Sequence, residues 1–256
     1  MQLSISDDAK ETGEAAAATA AARLKRIIEV KGRATFIAAT GLSQVEFLRA
    51  LAEQPGIEWA KTRMYHLDEY VGLPASHPAS FRRYLRERLI ERVHPGTVHL
   101  IEGDGEDPEA ECDRLGRLLA GGPLDLAFVG IGENGHLAFN DPPADFETDR
   151  AFIVVELDEG CRAQQVHEGW FETLDDVPRQ AITVTIKQIM RARCIIGTVP
   201  EARKAEAVRC SVEGPVDPAC PASILLRHDN AHLFLDRDSA GLLESPAARP
   251  GPAETG

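Results

Sequence analysis

The sequence predicts a three-layer α/β fold, Rossmann-like, with a mostly parallel central sheet and helices on both faces. Short apolar runs of strand length alternate with amphipathic stretches of helical period, the order that parallel strands and crossover helices require. The clearest buried strand, residues 124–131, lies mid-chain with at least two strand–helix units before it. Four polar segments fall at the carboxyl ends of such runs or at a following helix start, where open parallel sheets bind ligands.

The first element is an Ala-rich helix over residues 8–30, with Leu24, Ile27 and Ile28 on one face and Gly32 to end it. A strand over 34–39 runs into Thr40-Gly41-Leu42-Ser43, and a second helix follows through Val45, Phe47, Leu48 and Leu51. Residues 62–67 form a strand leading to Asp68 and Glu69. A helix over 81–93 repeats Leu85, Leu89 and Val93 every four residues. A strand at 97–101, a helix at 109–120 and the strand at 124–131 come next. Beyond them, 151–155 is a further apolar run, and strands at 181–185 and 193–199 flank a short helix. A helix over 201–211 and a strand over 231–235 complete a single domain spanning 1–240. The tail, 241–256, is rich in Pro, Ala and Gly and is expected to be disordered.

Composition excludes several function classes. With 43% hydrophobic residues among 256, the chain can bury a core without metal or disulfide staples. Its net charge of −13, from 28 basic against 41 acidic residues, argues against nucleic-acid and anionic-membrane partners. It leaves room for one phosphate held by a few local donors. The cysteines at 112, 161, 194, 210 and 220 form no CxxC pair and read as thiols of a reducing, cytoplasmic compartment. No signal-like h-region opens the sequence and no apolar run reaches membrane-spanning length. No metal site is expected: there is no HExxH, and Asp229-Asn230 reads as a turn between His228 and His232.

Gly130, Gly132 and Gly135 match the G-x-G-x-x-G dinucleotide fingerprint, with Glu156 near the spacing of a ribose-binding acid. The fingerprint needs its third glycine to open a helix, however, and Asn140-Asp141-Pro142-Pro143 arrives five residues later. The alternative is that these glycines, Gly135 included, bring backbone close to a small ligand while Asn134, His136 and Asp141 point at it. Taken singly, Thr40 and Ser43 could be ordinary helix caps, Asp68 and Glu69 a solvated loop, and Lys204 one charge on a helix face. Their coincidence at one end of a sheet is what points to a site.

Leu67-Asp-Glu-Tyr-Val-Gly-Leu-Pro74, His77-Pro-Ala-Ser80, the segment from Gly130 through Gly135-His136-Leu-Ala-Phe-Asn-Asp141 to Pro142, Lys204 and Val212-Glu-Gly-Pro215 together resemble the glucosamine-6-phosphate deaminase (isomerase) family. The resemblance runs in order from about residue 36 to 235. It implies aldose–ketose isomerisation and deamination of glucosamine 6-phosphate to fructose 6-phosphate and ammonia. Asp68 would move a proton from C2 to C1, His136 would assist ring opening, and Asp141 would orient its imidazole. Thr40, Gly41, Leu42 and Ser43 would take the 6-phosphate at a helix N-terminus, with Lys204 as a point charge. Neither metal nor organic cofactor is implied; the partner is a small sugar phosphate, and a homo-oligomer stays open. Two other functions remain: a 6-phosphogluconolactonase of the same superfamily, against which Ala138-Phe-Asn-Asp141 speaks, and a sugar-phosphate-binding module that has lost catalysis.

Three departures from the family pattern bear on the site. Asn134 stands where relatives carry Asp, Asp141 where many carry Glu, and Gly169 near the place of a phosphate-gripping arginine. Arg162 and His167 are the candidates to replace that arginine. Ala151 and Ile153 also fall near positions where regulated members bind an allosteric sugar through basic residues, so no strong activation by N-acetylglucosamine 6-phosphate is expected.

Overall fold

A computed structural model describes residues 1–244 of the chain. Strand β1 (Gln2–Ser6) leads into α1 (Ala9–Lys31), whose N-terminus is capped by the Asp8 carboxylate and which ends at Gly32. There follow β2 (Ala34–Ala38), α2 (Val45–Glu53), β3 (Thr62–His66), β4 (Asp68–Tyr70) and α3 (Phe81–Leu85). A π-helical turn over Arg86–Ile90 carries α3 into α4 (Glu91–Val93). Next come β5 (Thr97–His99), α5 (Pro108–Leu119), β6 (Leu126–Val129), β7 (Phe152–Glu156) and α6 (Glu159–His167). The last elements are β8 (Gln180–Val184), α7 (Ile186–Met190), β9 (Cys194–Val199), α8 (Ala205–Glu213) and β10 (Ala231–Asp236).

Seven strands form one sheet in the order β1-β10-β9-β6-β2-β3-β5, with every pairing parallel. From β2 the chain works outward through β3 to β5, then returns to β6 on the other side of β2 and works outward through β9 and β10. The connections therefore reverse direction between β2 and β6, and the loops leaving those two strands diverge and open a crevice. Successive residues of the central strands serve opposite layers. Phe36, Ala38, Leu126 and Phe128 pack toward α1 and α2, whereas Ile37, Ala39, Ala127 and Val129 pack toward α5 and α7.

The expected architecture is present, with two differences. The runs at 151–155 and 181–185 do not join the central sheet. With β4 they make a separate antiparallel sheet, order β4-β8-β7. The second difference is that β1, α6 and β4 were not foreseen. Of the tail, residues 241–244 are described and Leu243 is buried in the core; the remainder lies outside the described residues.

Candidate active site

Four central strands, β9, β6, β2 and β3, deliver their carboxyl ends to one cleft that is open to solvent at its mouth. Thr40 to Ser43 arrive from β2, Asp68 from β3, Gly130, Gly132 and His136 from β6, and Lys204 from the segment after β9. The facing wall is α6 and the residue after it, through Gln164, Gln165 and Glu168.

Asp68 is placed by backbone alone. The chain leaves β3 at His66, and Leu67 bridges the two sheets: its amide donates to Ala38 of the parallel sheet and its carbonyl accepts from Val184 of the antiparallel one. Asp68 follows directly, 6% exposed, with Oδ1 lacking a hydrogen-bond partner. Burial, reinforced by neighbouring Glu69, pushes this carboxyl up to about 8. Glu69 has a different task. Its carboxylate accepts from the amides of Tyr70, Phe81 and Arg82 and from the Ser80 hydroxyl at 2.8–3.2 Å, tying the N-terminus of α3 to β4. Tyr70 is fully buried against Phe81, Phe139 and Phe171, with ring centroids 5.0–5.5 Å apart, in an aromatic cluster that reaches the cleft through Phe81 and Phe139.

The loop after β6 has no helix, as its prolines demand. Gly132 gives space to the imidazole: a Cβ there would stand 2.2 Å from the His136 ring. Gly135 has φ +85°, a backbone that only glycine adopts without strain, and it faces Cys220 rather than the cleft. His136 Nδ1 lies 3.2 Å from Asp141 Oδ1, which leaves Nε2 for a ligand. Asn134 joins the two. Its amide donates to Asp141 Oδ1 at 3.0 Å, and its oxygen accepts from the His136 amide at 3.0 Å. Burial pushes the Asp141 carboxyl up, but His136 and the Asn134 amide outweigh it and hold the group below the usual carboxylate range. The Cys161 thiol, reaching Asp141 from α6, is pushed up by burial and by that carboxylate.

At the other end, Gly41 with φ +92° turns the chain into a 3₁₀ turn and α2, so that Gly41, Leu42 and Ser43 line the cleft at a helix N-terminus while the Gln44 amide donates to the Gly41 carbonyl. Tyr84 Oη donates to the Gly41 carbonyl at 2.8 Å and steadies that loop. Lys204 is 2% exposed; burial first, then neighbouring Arg203, lower its pKa. Arg203 is itself held by Glu133, Glu168 and Glu201.

Asp68, His136, Thr40 to Ser43 and Lys204 line the cleft, and Asn134 and Asp141 hold His136 without lining it; three other expected residues stay outside. Arg162 does not reach the cleft; its guanidinium donates to the Leu174 carbonyl. His167 lines an outer recess on the far side of α6. Gly135 shapes the loop without lining the cleft. Among the described residues no arginine lines the cleft; Gln164 and Gln165 line it. Gln165 takes the Tyr70 hydroxyl on its oxygen at 2.8 Å, leaving its amide donors for the cleft. Residues 161, 165 and 168 share one face of α6, a spacing visible in the sequence after the Asp158 cap but without a strong apolar stripe to announce it.

The profile of the glucosamine-6-phosphate isomerases/6-phosphogluconolactonase family matches residues 7–234. The chain belongs to that family. Among curated family members, the glucosamine-6-phosphate deaminase of Exiguobacterium sibiricum is 39% identical over 203 residues, 77% of this chain and 79% of that protein. That of Bacillus cytotoxicus is 33% identical over 225 residues, 88% and 84% of the two chains. Among solved structures, a monomeric glucosamine-6-phosphate deaminase superposes with a TM-score of 0.86 at 30% identity, covering 94% of this chain and all of the other. A 6-phosphogluconolactonase from Shewanella baltica, at 19% identity and a TM-score of 0.76 over 92% and 97% of the chains, shares the fold. Among the described residues no helix is long and apolar enough to cross a membrane.

Proposed function

We propose that the protein is a glucosamine-6-phosphate deaminase, converting that sugar to fructose 6-phosphate and ammonia. The observation that carries this reading is a single cleft shared by the buried carboxyl of Asp68, the His136–Asp141 pair and, at its other end, Lys204 with the Thr40–Ser43 loop. The phosphate docks on the loop amides and Lys204, which fixes C1 and C2 at the opposite end. His136 Nε2 exchanges a proton with the ring oxygen as the C1–O5 bond opens, and Asp141 compensates the charge that develops on the imidazole. Asp68, as carboxylate, removes the C2 proton and returns it to C1. The resulting ketimine is hydrolysed, with water adding at C2 and the amine leaving as ammonia. An aspartate pushed up to about 8 is matched to taking and giving back a proton near neutrality.

A cytoplasmic location goes with this reading, since a charged sugar phosphate does not cross a bilayer unaided. Ammonia release from a panel of hexosamine 6-phosphates tests it, with 6-phosphogluconolactone hydrolysis as the parallel assay. Glucosamine 6-phosphate is expected to turn over and the lactone is not. Tight sugar-phosphate binding with no product would assign the cleft to sensing instead.

A further inference from the structure

His136, Asp141 and Cys161 form a donor set that the reaction does not use in full. One atom from each, an imidazole nitrogen, a carboxylate oxygen and the Sγ, all lie within 4.8 Å of one another, and Nδ1 is the nitrogen beside Asp141. Among the described residues no other trio of His, Cys, Asp or Glu side chains is so placed. Asp141 Oδ2 is buried without any hydrogen-bond partner, and His136 Nδ1 has only Asp141 Oδ1 beside it, at 3.2 Å. The Asp141 side chain is only 10% exposed, so its second oxygen is an orphan in a nearly closed space. On the outer side of α6 a recess lined by Glu133, Asn134, Asp158 and Glu159 opens onto Cys161. Those carboxylates concentrate cations at its mouth.

We propose that His136 Nδ1, Asp141 and Cys161 Sγ bind a thiophilic divalent cation, zinc foremost, and that this ion switches the enzyme off. Nitrogen, sulfur and carboxylate oxygen are the ligands zinc takes, and three protein ligands leave a fourth position for water or a sugar hydroxyl. Thiolate and carboxylate together match the dication's charge. On binding, the Cys161 S–H bond breaks, a zinc–sulfur bond forms and the proton passes to solvent. The inhibition has a defined cause, which rests on the proton relay proposed above. An imidazole that gives its Nδ1 lone pair to a metal keeps its remaining proton on Nε2, so it cannot accept a second one from the substrate.

Cobalt(II), titrated into protein carrying Cys210→Ser so that the exposed thiol is gone, reads the site directly. One equivalent is expected to give a near-ultraviolet thiolate-to-cobalt charge-transfer band with the visible intensity of a four-coordinate ion. Adding Cys161→Ser is expected to abolish that band, and Asp141→Asn to weaken cobalt binding on the order of 10-fold or more. Cys161→Ala, checked by its circular dichroism, serves if the serine variant folds poorly. In the activity arm, zinc is expected to inhibit the parent reversibly, with chelator restoring turnover, at concentrations roughly 10-fold below those needed for Cys161→Ser. No charge-transfer band, or a band that survives loss of Cys161, overturns the site. A band without inhibition overturns the switch and leaves the site. The spectra are read whether or not the protein turns over glucosamine 6-phosphate, so failure of the functional reading is recorded separately.

Discussion

Asp68 carries the sharpest expectations because its burial has two consequences. If it is the base, kcat/KM should rise with pH along a limb whose apparent pKa lies near 8, the value to which burial and Glu69 push it. Asp68→Asn should remove that limb and lower kcat on the order of 10³-fold or more, as measured by ammonia release. The same shift acts on stability. A carboxyl whose folded pKa is raised binds its proton more tightly in the native state, so it costs nothing below the unfolded value of 3.8. The ionisation penalty accumulates as pH rises toward 8. Asp68→Asn should therefore melt with the parent at pH near 4 and above it at alkaline pH; a constant offset across that range would remove the burial argument. Asn134 offers a subtler test. Removing its bridge in Asn134→Ala leaves both His136 and Asp141 in place but unheld, and kcat should fall about 10- to 100-fold with little change in KM.

At the scale of elements, much was legible because the physics is local. The Asp8 cap, the Ala-rich α1 and Gly32 can be read from the first 32 residues, and Asp8→Ala should cost about 1 kcal/mol in chemical denaturation. The prolines after Asn140 argued against a dinucleotide helix, and the structure has no helix there. What stayed hidden was decided by distant partners. Three residues, 68–70, become a strand only because β8 lies alongside them, and the sequence signal of so short an element cannot outweigh its context. Glu69 could be read as part of a solvated loop, yet it is a buried tether whose four donors come from Tyr70 and the far end of a ten-residue excursion, Ser80 to Arg82. Glu69→Gln turns an amide group toward N–H donors and should destabilise by roughly 2–4 kcal/mol, read from urea melts. Arg162 was named on charge alone, and nothing in the sequence revealed that its guanidinium is taken by the Leu174 carbonyl.

Over the whole molecule, the sheet order is what the site depends on. The reversal between β2 and β6 places the Thr40–Ser43 loop on one side and the His136 loop on the other, with Lys204 from β9 and Asp68 from β3 flanking them. The alternation of strands and helices made this crevice predictable, although the order of strands across the sheet is a tertiary property that no single stretch encodes. The outermost strand, β1, extends the sheet by pairing Gln2–Ser6 along β10. Deleting residues 2–6 should lower the melting temperature and promote association by exposing the β10 edge, measurable by light scattering on heating. Strong activation by an allosteric sugar phosphate is not expected either. Arg150, the basic residue beside Ala151, is already paired with Glu109 and Asp113, so N-acetylglucosamine 6-phosphate should leave the rate curve of glucosamine 6-phosphate unchanged.

Leu67 locks Asp68 to two ladders at once, whereas the facing wall is one short helix and the residue that follows it. Adaptation to other sugars should therefore be lopsided. Selection for a new hexose phosphate will find little tolerance around residue 67 and will accumulate its changes at 164, 165 and 168, so that this enzyme diversifies by re-facing its ceiling while its floor stays fixed.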